Sequence, residues 1–165
     1  MEEHSNHPKT LSPSDGKNLS VVGDTYRILI SGAETNGAFA SIDMLIPPGG
    51  GPGPHAHADF QESFYVIEGE IEVKSEFGNY TAAAGSFVSI PKGGVVHCFK
   101  NNSEKIAHLL CTVVPAGLET FFEEVGVPVA PGEFLQTEMD EDRIKELQAI
   151  AQKHGQKLYP PDYLD

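Results

Sequence analysis

Tryptophan is absent from this 165-residue chain, and cysteine occurs only twice, as Cys98 and Cys111. Two cysteines are too few for a disulfide framework. Both lie in apolar runs, which suits buried free thiols in a reducing compartment, with a single bridge between neighbouring strands left open. Basic residues are scarce: 11 Lys and Arg stand against 24 Asp and Glu, a formal net charge of −13. A nucleic-acid backbone or an anionic membrane surface calls for clustered cations, so both are excluded as partners. The acidic excess reads as solubility. Long apolar runs are also missing. The longest uncharged apolar stretch, Ile106 to Leu118, contains His108 and Pro115 and is too short to span a bilayer. The N-terminus MEEHSNHPKT is polar and acidic, unlike a secretory signal, and the expected location is the cytoplasm.

Turn residues, by contrast, are plentiful, with 17 Gly and 12 Pro. The length suits one domain with terminal extensions. Residues 1–18 show no periodicity and read as a flexible N-terminal arm. From Leu19 apolar residues alternate, as in Tyr26, Ile28 and Ile30, and again through GAFASIDMLIP at 37–47. PPGGGPGP at 47–54 can be neither helix nor regular strand and must be an irregular loop. Two β-rich runs flank Glu68-Gly69, which reads as a tight hairpin, and a further turn is expected at Gly78-Asn79. Strands follow at 86–94, 95–101 and 106–115. Turn signals every eight to twelve residues fit an all-β sandwich or barrel over 19–116. The tail, 117–165, reads as helical: a short helix in GLETFFEEVG, and a longer one from Met139 to Gly155 with Ile144, Leu147, Ile150 and Ala151 on one face.

His55 and His57 stand directly after the Gly/Pro loop. In extended chain a spacing of two puts both imidazoles on one face. Glu62 follows five residues on, and His97 lies on a separate strand. Three neutral imidazoles and a carboxylate suit a divalent first-row transition metal. Other histidines read differently: His4 and His7 as solvated in the arm, His108 as a satisfied strand residue, His154 as favourable at a helix C-terminus. Asp59 and Gln61 are expected to face solvent. Phe64, Val66, Phe87, Val88, Ile90 and Phe99 are core or pocket-lining candidates.

The segment GPGPHAHADFQESFYVIEGE resembles the first sequence motif of the cupin superfamily: His55-x-His57, four residues, Glu62, six residues, Gly69. The second motif is matched by Gly85, Pro91, Gly93, His97 and Asn101, with one extra residue around Gly93-Gly94. The tail, with FFEEVG and HGQKLYPP, is similar to single-domain cupins likened to quercetin dioxygenases. The resemblance implies a double-stranded β-helix, the cupin jelly-roll barrel, with short C-terminal helices. It also implies a divalent transition metal (Fe, Mn, Ni, Cu or Zn) held by His55, His57, Glu62 and His97, with two positions open. The expected activity is a metal-dependent dioxygenase on a small aromatic or enolic, flavonol-like substrate, with Glu62 as catalytic base. The alternatives are a metal-dependent isomerase or decarboxylase, and a non-enzymatic ligand- or metal-binding cupin. Cupin-like barrels commonly pair through sheet edges, so a homodimer is expected.

Overall fold

Glycine and proline divide the chain into short extended segments, and the alternation inside each segment selects the face that is buried. In the computed structural model residues 7–165 are described. The readings of His4 and of the first part of the arm lie outside the described residues. The elements, in order, are β1 (Lys17–Val21), β2 (Asp24–Ile30), β3 (Ala40–Ile46), β4 (His55–His57), β5 (Gln61–Glu68), β6 (Glu70–Ser75), β7 (Gly78–Ala83), β8 (Phe87–Ile90), β9 (His97–Lys100) and β10 (Ala107–Val114). After these come α1 (Leu118–Val125), β11 (Val127–Pro128), α2 (Glu141–Lys153) and β12 (Gln156–Leu158).

The strands form two antiparallel sheets, one ordered β11-β1-β2-β3-β10-β5-β8 and the other β12-β4-β9-β6-β7. This is the double-stranded β-helix expected from the motifs, with two short helices after the barrel strands. Strict alternation fills the core. Ala40, Ile42, Met44 and Ile46 of β3 are buried, as are Ala107, Leu109, Cys111 and Val113 of β10. The two strands pair with Met44 opposite Leu109 and Ile42 opposite Cys111, so their apolar faces coincide. Both cysteines are buried free thiols, Cys98 in the smaller sheet and Cys111 in the larger.

Several local expectations are corrected. Glu68-Gly69 is not a hairpin: β5 pairs with β10 and β8, whereas β6 pairs with β7 and β9. The chain turns a corner there and changes sheet. Gly69 has φ +77°, and a Cβ on it would lie 3.0 Å from the Ile106 carbonyl oxygen and the Ala107 Cα. Two β-rich runs around a glycine look the same in sequence whether the chain folds back or crosses over. The next turn is Glu76-Phe77, because Ser75 already pairs with Gly78. Phe87 is 67% exposed, on the outer side of edge strand β8, rather than in the core or pocket. Strands β11 and β12 fall in stretches that carry no alternation of their own.

The Gly/Pro loop before β4 is fastened from two sides. Gly49 N–H donates to the Asn101 carbonyl at 2.7 Å and Asn101 N–H returns a bond to Gly50 at 2.9 Å. Gly51 N–H donates to Asp24 Oδ1 at 3.1 Å. Gly51 has φ +119°, and a Cβ there would sit 2.1 Å from the Phe99 carbonyl oxygen. Only glycine permits both that conformation and that approach. Replacing Gly51 by Ala is therefore expected to destabilise the fold by about 2–5 kcal/mol, combining backbone strain and overpacking. Denaturant unfolding of Gly51→Ala measures this, and an unchanged midpoint would contradict it.

Candidate metal centre

The spacing of two works as the sequence implies. In β4 both His55 and His57 are buried, at 8% and 2% exposure, on a strand three residues long. His55 lies directly opposite His97 of β9. The three rings cluster: His55 to His97 is 4.4 Å between centroids, His57 to His97 4.8 Å, and His55 to His57 5.7 Å. Glu62 comes from β5 in the other sheet, so the barrel interior brings three imidazoles from one wall to a carboxylate on the facing wall. Glu62 Oε2 is 2.9 Å from His57 Nε2 and 3.6 Å from His97 Nε2.

Each imidazole is oriented by its other nitrogen. His55 Nδ1 bonds the Gly53 carbonyl at 2.9 Å, His97 Nδ1 the Val95 carbonyl at 2.9 Å, and His57 Nδ1 the Phe60 carbonyl at 3.3 Å. A carbonyl can only accept, so Nδ1 carries the proton in each ring and Nε2 is left as the potential metal ligand. His57 also stacks on Phe60, with 4.0 Å between ring centroids. Glu62 Oε1 accepts from the Cys111 thiol at 3.4 Å, and burial with Glu62 alongside holds that thiol well above its usual range. The extra residue in the second motif is absorbed as a second left-handed glycine: Gly93 and Gly94 have φ +115° and +85°. His97 still reaches its place.

The donor set fits a divalent transition metal. The four ligand atoms lie within 4.8 Å of one another, against about 4.2 Å for opposite ligands at typical bond lengths. His97 Nε2 is buried and lacks a hydrogen-bond partner, an orphan that a cation would satisfy. Burial works against the charge on Glu62, yet the facing imidazoles of His57 and His97 outweigh it and hold the carboxyl well below its usual range. Burial, with His97 adding to it, lowers His55 to about 4, so this ring stays neutral and available.

A cavity of about 430 Å³ opens onto His55 and Glu62. Its walls are largely apolar, from Met44, Phe99, Phe121 and Phe122 in and beside the barrel to Leu147 and Leu158 in the tail. Asp24 and Tyr26 are among the polar groups in it that were not anticipated from the sequence. Asp24 is 2% exposed and accepts from the Tyr26 hydroxyl at 2.9 Å as well as from Gly51. Burial pushes its carboxyl up to about 7, against the pull of both hydrogen bonds. Their position was readable, since Asp24, Tyr26 and Ile28 share the buried side of β2. Period two places Asp24 there as firmly as it places Tyr26.

Other candidates have structural duties. Asn101 donates to the Ile46 and Lys105 carbonyls at 2.9 and 2.6 Å, closing the turn after β9. His108 pairs with Asp43, as expected of a satisfied strand histidine. His154 does more than end a helix: it bonds Glu124 of α1 at 2.6 Å and ties the two helices together. Asp59 and Gln61 are exposed.

Comparison with known proteins agrees with this geometry. The family described as "Cupin domain" matches residues 42–113. Quercetin 2,3-dioxygenase of Bacillus subtilis (strain 168) is 26% identical over 121 residues, covering 73% of this chain and 35% of that protein. Quercetin 2,3-dioxygenase of Aspergillus japonicus is 26% identical over 120 residues, covering 68% and 34%. The chain thus spans about a third of the length of these curated relatives. Among solved structures, a predicted oxalate decarboxylase from Thermotoga maritima gives a TM-score of 0.59 at 20% identity, covering 65% of this chain and 99% of that one. Ectoine synthase from P. lautus gives 0.54 at 23% identity, covering 76% and 86%. These structural likenesses show the fold.

Asp24 carries a pH prediction. Its folded value, about 7, lies above the unfolded 3.8, so the native state holds the proton more tightly. That contribution is complete below the unfolded value and is lost as pH rises through the folded one. Asp24→Asn is therefore expected to stabilise the metal-free protein at pH 8, by up to about 4 kcal/mol at about 1.4 kcal/mol per pKa unit, with little effect near pH 4. Denaturant midpoints of both proteins across this range test it. Parallel pH profiles would contradict it.

Proposed function

The chain is a member of the cupin superfamily, and from that premise we propose that it is a metal-dependent dioxygenase acting on a small aromatic or enolic substrate of the flavonol type. The observation that carries the proposal is that His55 and Glu62, two members of the candidate metal cluster, line a largely apolar cavity. The likeness to quercetin 2,3-dioxygenases supports the choice of reaction.

A bound divalent transition metal would supply Lewis-acid polarisation and, where redox-active, a route for electrons to dioxygen. His55, His57, Glu62 and His97 would hold it. Phe99, Phe121 and Phe122 would flank the substrate's apolar body and exclude bulk water. Glu62 is the group placed to take the proton of an enolic hydroxyl: it lines the cavity, and its Oε2 lies 2.9 Å from His57 Nε2. Asp24 favours a second reading, a metal-dependent isomerase or decarboxylase, because it is a second carboxyl in the same cavity, poised to hold or release a proton near neutrality.

The test is oxygen consumption with quercetin and related enediols by protein reconstituted in turn with Fe, Mn, Ni and Cu. Uptake matched to substrate loss is expected. Glu62→Gln should lower it by about 100-fold or more, since it removes the general base and a metal ligand together. Absence of uptake with every metal would overturn the dioxygenase reading, and anaerobic turnover would favour the second.

A further inference from the structure

Strand β12 is contributed by the C-terminal tail, and it lies against the ligand strand itself. Gln156 is the Cα partner of His57, and Leu158 that of His55. Directly opposed residues of antiparallel strands present their side chains to the same face. The His57 imidazole points inward to Glu62, so the Gln156 side chain points inward as well. Lys157, between them, is exposed and lies over the Tyr159 ring, 4.9 Å from its centroid. Both Gln156 and Leu158 line the cavity that reaches His55 and Glu62.

Gln156 is only 6% exposed, and its Nε2 is buried without a hydrogen-bond partner. An unpaired buried amide costs free energy that a leucine of similar volume would not. The surrounding structure does nothing to relieve that cost. It does hold the strand firmly: Tyr159 N–H continues the pairing by donating to the Pro54 carbonyl at 2.9 Å, and Asp165 reaches across to Lys74 at 2.7 Å. The amide is therefore fixed in place beside the metal ligands with its donor unused.

We propose that Gln156 is a substrate-recognition residue, its Nε2–H₂ donating to an oxygen of a ligand bound at the metal centre, and that the tail strand β12 thereby completes the binding site. The inference rests on the metal-centred reading above. It narrows the ligand class to molecules with an apolar body and a carbonyl, carboxylate or enolate oxygen next to the chelating group. No Lys or Arg lines this cavity among the described residues, so a phosphorylated ligand would find no cationic partner there.

The experiment uses the full chain loaded with zinc, which cannot turn over an oxidisable ligand. Acetohydroxamate, a small bidentate oxygen ligand, and quercetin are titrated by calorimetry into the native protein and into Gln156→Leu and Gln156→Met. Zinc affinity and thermal midpoint are measured alongside. The expected result is about tenfold weaker acetohydroxamate binding in both variants, the loss of one hydrogen bond to a charged oxygen. Zinc affinity should be unchanged, and the ligand-free midpoint should be equal or raised by about 2–4 °C, since the orphan amide has gone. A merely structural glutamine would instead lower the midpoint and leave affinity alone. Equal acetohydroxamate affinity in all three proteins overturns the inference, and so does failure of the native protein to bind it. If acetohydroxamate behaves as expected while quercetin does not bind, the role of Gln156 stands and the flavonol reading falls.

Discussion

Four buried polar side chains converging from two sheets are the constraint on which the rest of the structure depends. His55, His57, Glu62 and His97 are each under 9% exposed, and their ligand atoms point at one another. Such a cluster has no apolar driving force of its own. Burial opposes the charge on Glu62, and His97 Nε2 is left unpaired. A divalent cation would resolve both at once, offering charge to the carboxylate and a bond to the idle nitrogen. The barrel tolerates the arrangement because hydrogen bonds orient each imidazole and fasten the loop before β4.

These hydrogen bonds are local. The three carbonyls that accept from Nδ1 belong to Gly53, Phe60 and Val95, each within three residues of the histidine it orients. The Gly/Pro loop that supplies the first is itself fixed by Asn101, just after β9, and by Asp24 from β2. Asp24 thus serves two ends, holding the approach to His55 and placing a titratable carboxyl in the cavity. The tail closes the opposite side: β12 lies along β4, and α2 brings Leu147 to the cavity wall. Site and cavity are made from the whole length of the chain.

Much of this was legible in the sequence, and the limits have physical causes. Period two placed His55 and His57 on one face, and the apolar alternation of Ile42, Met44 and Ile46 gave β3. The approach of Glu62 and His97 to that pair came from the cupin resemblance, since no local pattern encodes which sheet a strand joins. The same gap explains the misread corner at Gly69. Strand β12 was missed because QKL has no alternation to reveal; its extended form is imposed by pairing with β4, and with it came the unforeseen position of Gln156. Asp24 was passed over although the period was available, because a carboxylate on a buried face runs against the usual partition of charge.

The most direct measure of the central claim is metal content by elemental analysis of untagged protein after reconstitution and removal of loosely held ions. The account predicts about one divalent transition-metal ion per chain, lost in the His57→Ala and Glu62→Gln proteins while their fold is retained. A native protein that binds no metal, or variants that keep the full complement, would contradict it.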